Sequence, residues 1–163
     1  MTYCSYNVYQ VICLDPSFSV LKKLIDLAGL QSTFSSLKYS TVFAPSNEAF
    51  AQNTAFTEYL LDPVNKTTLK NVLLYHICPQ ALTTEELVPT RVLTMIDGNT
   101  AVIYAALYYN YIPIIQDKVQ NNWQVVEGNI AAFCGNYIQK IPGIMQPYVI
   151  YYPKRLQPIA GEF

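Results

Sequence analysis

The chain has 163 residues, enough for one domain with a sizeable core. Hydrophobic residues make up 52% of it and charged residues only 13%, about half the charged share usual in a soluble domain. Its formal net charge of -1 argues against nucleic acid as a partner, because phosphate recognition needs a clustered cationic surface. No stretch approaches the roughly 18 consecutive apolar residues of a membrane span, and the polar, tyrosine-rich Met1 to Gln10 does not read as a secretory signal.

Fourteen tyrosines accompany these few charges. Tyrosine is apolar in body and polar at its tip, which suits half-buried strands and protein interfaces alike. A surface so poor in charge is expected to be covered by something. Four cysteines, Cys4, Cys13, Cys78 and Cys134, show no C-x-x-C spacing, and with one histidine they make no usual zinc ligand set. Their even count fits two disulfides in an oxidising compartment, and buried free thiols fit as well.

In chain order, Met1 to Ile12 reads as an extended lead-in, with 1–10 set apart from a domain over 11–147. Asp15-Pro16 then supplies an N-cap followed by proline at the first helical position. Phe18, Leu21, Leu24, Ile25 and Ala28 recur at helical spacing, and Gly29 is placed to end the helix. Leu30 to Tyr39 is a weaker apolar segment. Thr41-Val42-Phe43-Ala44 is β-branched and aromatic, hence a strand, and Pro45 ends it. Ser46 is placed as an N-cap, Glu48 suits the positive end of a helix dipole, and Ala49 and Phe50 begin the apolar side. Residues 41–50 are therefore a strand-to-helix elbow.

Phe56 to Leu61 reads as another helical turn or two, closed by Asp62-Pro63. Asn65-Lys66-Thr67 is a glycosylation sequon in a secretory setting, while Asn65, Thr67 or Thr68 would equally cap the next helix. That helix, Leu69 to Ile77, buries Leu69, Val72 and Leu73, with His76 or Ile77, on one face until Pro79 stops it. A lone histidine there is expected to be a satisfied core residue, its ring nitrogens bonded to backbone or to the elbow. Thr83 to Leu87 is a short capped helical turn. From Arg91 onward the texture is that of strands: Arg91 to Ile96, a hairpin signal at Asp97-Gly98, Thr100 to Tyr111, Ile112 to Val119 and Trp123 to Val126. Pro113 suggests an edge or a bulge, and Asn121-Asn122 a turn. Helices first and strands later imply an α+β arrangement.

Three segments together resemble the fasciclin-like domain family. Thr41 to Phe50 matches its first signature, T-V-F-A-P-[ST]-N-x-A-F, at every specified position. Tyr75-His76 ends a helix as the family's tyrosine-histidine pair does, with Gln80 where a glycine is usual. Asn129-Ile130, Gly135-Asn136, Gln139 and Pro147 follow the order of the closing segment, with one extra residue near Asn136. Asn129 stands there for an aspartate, Cys134 for an asparagine and Gln139 for a histidine. The resemblance implies a wedge or sandwich of short strands with several helices packed at one side, in which Thr41, Val42, Phe43, Ala44, Pro45, Asn47, Ala49, Phe50, Gly135 and Pro147 are structural. It also implies an extracellular or cell-surface module of adhesion and matrix binding. In some animal members the positions of Tyr75, His76, Asn129 and Ile130 are linked to integrin recognition. A neutral Asn129 weakens that role here, since metal-dependent receptor contacts call for a carboxylate.

Residues 148–163 lie beyond the usual domain, and Tyr148, Tyr151 and Tyr152 suggest a segment that docks on its own domain or on a neighbour. The sequence contains no G-x-S-x-G elbow, P-loop or dinucleotide glycine pattern. A Ser-His or Cys-His pair would have to use His76, and Glu85-Glu86 reads as an exposed first turn. The expectation is a protein without catalytic, metal or cofactor residues. Two roles fit: a fasciclin-type adhesion or matrix module, or an accessory subunit docked on a larger membrane-associated assembly on its non-cytoplasmic side.

Overall fold

A five-residue strand and the helix it turns into organise the molecule, in a computed structural model that describes residues 2–3, 5–89, 91–105 and 112–153. The helices are α1 (Val8–Leu14), α2 (Ser19–Ala28), α3 (Gln31–Ser35), α4 (Asn47–Ala51), α5 (Thr54–Leu61) and α6 (Lys66–Tyr75). The strands are β1 (Thr2–Tyr3), β2 (Thr41–Pro45), β3 (Ile77–Cys78), β4 (Val92–Thr94), β5 (Thr100–Ala105), β6 (Pro113–Gln116), β7 (Asn122–Gln124), β8 (Glu127–Ala132) and β9 (Asn136–Ile141). They form a sheet in the order β1-β8-β9-β2-β3 and a second, antiparallel sheet in the order β4-β5-β6-β7. The architecture is α+β, with helices packed on one sheet and short strands in two.

Within the first sheet β2 runs parallel to β9, from Thr41 opposite Tyr137 to Pro45 opposite Ile141, and antiparallel to β3. All five of its residues are buried. Side chains alternate along a strand, and here both faces are covered. Val42 and Ala44 join Leu21, Leu24, Ile25, Phe34, Phe56, Leu69 and Ile138 in a helix-side core. Phe43 points the other way, into a core with Tyr75, Leu93, Ile103, Ile115 and Met145.

The helical caps follow from local chemistry. Asp15 Oδ1 accepts the Ser17 N–H at 2.9 Å and opens a 3-10 turn over Pro16–Phe18 that runs into α2. Gly29, at φ 70°, closes α2 as the left-handed residue of a Schellman arrangement, with Leu30 N–H donating to Ile25 O and Gly29 N–H to Asp26 O. Asp97-Gly98 makes the expected hairpin turn, Gly98 at φ 89° and Met95 N–H donating to Asn99 O at 2.8 Å.

Several expectations are corrected. The extended lead-in is replaced by α1, which starts at Val8 because Asn7 and Gln10 form a reciprocal capping box. Val8, Val11 and Ile12 lie in the helix-side core. Ser46 occupies the N-cap position of α4 but makes no side-chain cap. Asn47 works across the elbow instead. Its Oδ1 accepts the Val20 N–H at 3.0 Å, and its Nδ2 donates to Pro16 O and Ser19 Oγ, so it caps α2 from another segment. The next long helix, α6, ends at Tyr75, and Ile77 belongs to β3 because it pairs with Val42 of β2. Thr83 to Leu87 keeps the expected form, a single capped turn in which the Glu86 and Leu87 N–H groups donate to Thr83 O and the Glu86 carboxylate accepts the Thr83 N–H. Pro113 opens an inner strand, where its missing N–H costs nothing and its carbonyl accepts the Val125 N–H. The turn expected at Asn121-Asn122 lies earlier, where Asp117 accepts the Val119 and Asn121 N–H groups and Gln120 takes φ 69°.

Cys13, Cys78 and Cys134 are free thiols, so no disulfide joins them to one another. Cys4, the end of the strand expected from Thr100 to Tyr111, and residues 154–163 lie outside the described residues.

Asn47→Ala removes three hydrogen bonds that seat α2 on the elbow, and should lower stability in urea unfolding by about 1–2 kcal/mol. Ser46→Ala, at the nominal cap, should change it by less than about 0.5 kcal/mol. Equal effects would place the cap on the wrong residue.

Candidate functional site

Two of the candidate residues are interior. Tyr75 has 0% relative exposure and His76 2%. The Tyr75 hydroxyl donates to Thr100 O at 2.7 Å and ties α6 to the second sheet, and burial raises its pKa well above the usual phenol range. His76 Nδ1 lies 2.7 Å from Val72 O, and its Nε2 lies 2.9 Å from the Met145 nitrogen. These partners assign the tautomer: Nδ1–H donates to the carbonyl, and Nε2 accepts the Met145 N–H. Burial pushes the pKa of this neutral ring down to about 4. Neither side chain presents atoms at the surface.

At the other family position, β8 bulges between Glu127 and Ile130 as it pairs with β9. Asn129 sits in the bulge at φ 60°, exposed, while Ile130 is 2% exposed in the helix-side core. Asn129 Oδ1 accepts the Thr84 N–H at 2.8 Å, and its Nδ2 donates to Thr84 Oγ1 at 3.0 Å. Gln139, fully buried, completes the arrangement. Its Oε1 accepts the Asn129 N–H at 2.9 Å, and its Nε2 donates to Leu82 O at 3.0 Å and to Asn129 Oδ1 at 3.2 Å. Thr41 extends the same fastening, donating to Gln80 O and accepting the Leu82 N–H. The chain from Gln80 to Thr84 is thus pinned to the first sheet by side-chain hydrogen bonds.

Beside this network an open cleft of about 590 Å³ is lined by Thr84, Glu85, Val88, Ile112, Val126 and Asn129, among others. Val88, Ile112 and Val126 are exposed apolar side chains, at 48%, 36% and 57%. Among the described residues, Glu85 is the one charged residue of the lining.

The segment after Pro147 lies back on the domain. Ile150 enters the helix-side core, Tyr152 stacks on Phe56 with ring centroids 4.9 Å apart, and the Tyr148 hydroxyl accepts from Asn71 Nδ2 at 3.0 Å. Tyr151 points outward, 89% exposed. Gly135 and Cys134 turn β8 into β9 with φ 66° and 65°, both in the left-handed region, and a Cβ on Gly135 would come within 2.9 Å of the Tyr39 ring. Asn65 precedes α6 without capping it, and its Nδ2 donates to Tyr59 O at 2.9 Å. Among the described residues, no group of three or more His, Cys, Asp or Glu could hold a metal ion, and no helix is long and apolar enough to cross a membrane.

Sequence reading missed Gln139 as the hub of the Asn129 network, and Asp117 as the organiser of the turn after β6. The signal for Gln139 was its polar amide between Ile138 and Ile141 on a strand buried at most positions.

The Fasciclin domain profile matches residues 16–145, and the chain belongs to that family. The fold agrees with the FAS1 domain pair of the insect cell adhesion molecule fasciclin I, at TM-score 0.73 and 14% identity over 85% of this chain and 50% of that one. Protein sll1483 of Synechocystis is 38% identical over 47% of this chain and 43% of its own length. Fasciclin-like arabinogalactan protein 16 of Arabidopsis thaliana is 33% identical over 49% and 19%. The transforming growth factor-beta-induced protein ig-h3 of Sus scrofa is 31% identical over 69% and 17%. The chain therefore spans less than half the length of each of these curated relatives.

The buried neutral His76 sets a pH dependence. Its folded pKa of about 4 lies below the ordinary 6.5, so between those values the unfolded chain binds the extra proton. Stability should fall as pH drops from about 6.5 towards 4, by up to about 1.4 kcal/mol per pH unit. Asp117, whose carboxyl is raised by burial, acts in the opposite sense nearer the carboxylate range. His76→Gln should flatten the slope even though it lowers stability overall. Urea unfolding across that range reads both, and an unchanged slope would mean that His76 is not the group responsible.

Proposed function

We propose that this chain is a non-enzymatic protein–protein interaction module of the adhesion type, working in a non-cytoplasmic compartment. The observation that carries the reading is the cluster of exposed Val88, Ile112 and Val126 around the cleft beside Asn129. Exposed apolar side chains gathered at a concave, nearly uncharged surface suit a protein partner and not a polyanion. The names of the relatives point the same way, fasciclin I being described as a cell adhesion molecule. Asn129, fixed by Thr84 and Gln139, presents a neutral amide at the rim. This disfavours a metal-bridged receptor contact and favours direct hydrogen bonding. Tyr148 and Tyr151, exposed beside Val149, offer a further contact on the closing segment. Tyr75, His76 and Ile130 serve this surface from inside, by holding the strands that carry it.

A second reading, an accessory subunit on a larger assembly, draws on the same low-charge surface and on the closing segment already docked through Ile150 and Tyr152. The two part at Asn65 and at the stoichiometry. Protein purified gently from its native source, and weighed intact under non-denaturing conditions, should carry a bound protein partner. A complex of fixed stoichiometry with bare Asn65 selects the accessory subunit, and a glycosylated chain with exchangeable partners selects adhesion. Val126→Asp should weaken partner capture at least about tenfold with unchanged thermal unfolding. Unaltered capture would remove the cleft from the interface.

A further inference from the structure

A second cleft, which shares no lining residue with the one beside Asn129, is assembled from different chemistry. Its volume is about 320 Å³, at the lower end of small-ligand sites, and its lining includes Trp123, Tyr152, Gln52, Asn53, Asn121 and Gln146. Two aromatic rings and four primary amides meet there, and among the described residues no charged side chain lines it.

The parts are held in place. A Cβ on Gly143 would lie 2.3–2.4 Å from three indole atoms of Trp123, so the ring rests on the glycine backbone in a position that no larger residue allows. The indole nitrogen is buried with no hydrogen-bond partner among the described residues, where packing holds the ring. Tyr152 is seated by stacking on Phe56 and by its contact with Tyr59. Asp117, only 4% exposed, positions two of the amide residues. It accepts the Gln146 N–H at 2.9 Å, the Asn121 N–H at 2.8 Å and the Asn121 Nδ2 at 3.2 Å. The side-chain amides of Gln52, Asn53 and Gln146 make no hydrogen bond within the described residues, and Asn121 keeps its Oδ1 free of them.

We propose that this cleft binds a neutral saccharide unit, such as the exposed end of a glycan. A sugar hydroxyl both donates and accepts, and a primary amide is the uncharged side chain that does the same. The ring faces of Trp123 and Tyr152 match the apolar C–H face of a pyranose, and the volume suits one or two such rings. An extended peptide would call for a longer groove with a free strand edge or a run of aromatic pockets. This cleft is short and amide-rich, and the strand edge beside it, that of β7, is only three residues long.

Trp123 is the single tryptophan of the chain, so its fluorescence and its indole N–H resonance report on this cleft alone. The experiment titrates the full chain with short neutral gluco-, galacto- and manno-oligosaccharides, and with a proline-rich peptide. At least one saccharide should shift both signals saturably, and Gln146→Ala and Gln52→Ala should each weaken its binding about five- to tenfold. Gln52 is exposed, so its variant tests the site without disturbing the fold. Silence from every saccharide at millimolar concentration overturns the proposal. So does a response to the peptide alone, or binding that both amide variants leave intact.

Discussion

The parallel pairing of β2 with β9 is the contact on which the other parts depend. It places a fully buried strand between two cores, with Val42 and Ala44 facing the helices and Phe43 facing the second sheet. Burial of each large side chain on such a strand is worth roughly 1.5–3 kcal/mol. The strand also fastens its surroundings with polar atoms. Thr41 holds Gln80 and Leu82, and Asn47, just past its end, holds the start of α2. Helix, sheet and surface loop are therefore positioned from one stretch of ten residues.

That stretch was readable in the sequence because its signals are local. β-branched residues, a proline and helix-favouring residues follow one another within a few positions, and the same holds for Asp15-Pro16 and Gly29 around α2. The failures are instructive in the same terms. α1 was announced by Asn7 and Gln10, a capping pair three residues apart, but its apolar side has only Val8, Val11 and Ile12, too few to stand out as periodic. Pro113 suggests an edge or a bulge because proline lacks a donor, yet at the first residue of a strand no donor is needed. Least legible was the surface. Asn129 and Gln139 meet through a bulge in the β8–β9 pairing, and Thr84 reaches Asn129 across 45 residues of chain.

The meeting of Asn129 with Gln139 gives meaning to two departures from the family's usual wording. Where an acid and an imidazole are usual, this chain carries two amides, and the amides bond to each other. Neither titrates, so the hydrogen bonds that pin Gln80 to Thr84 to the sheet stay the same across the physiological pH range. The acidity of the surroundings instead reaches the fold through His76, whose two ring nitrogens bridge α6 and the segment near Met145 inside the protein.

The division of the interior by β2 has a dynamic consequence. The antiparallel meander β4–β7 is hydrogen-bonded chiefly within itself and meets the rest through the core around Phe43 and Tyr75. It can open as a cooperative unit while the helices stay closed around Val42 and Ala44. Amides of the meander would then exchange with solvent by a partial opening of lower free energy, and those of α2, β2 and β9 only by global unfolding.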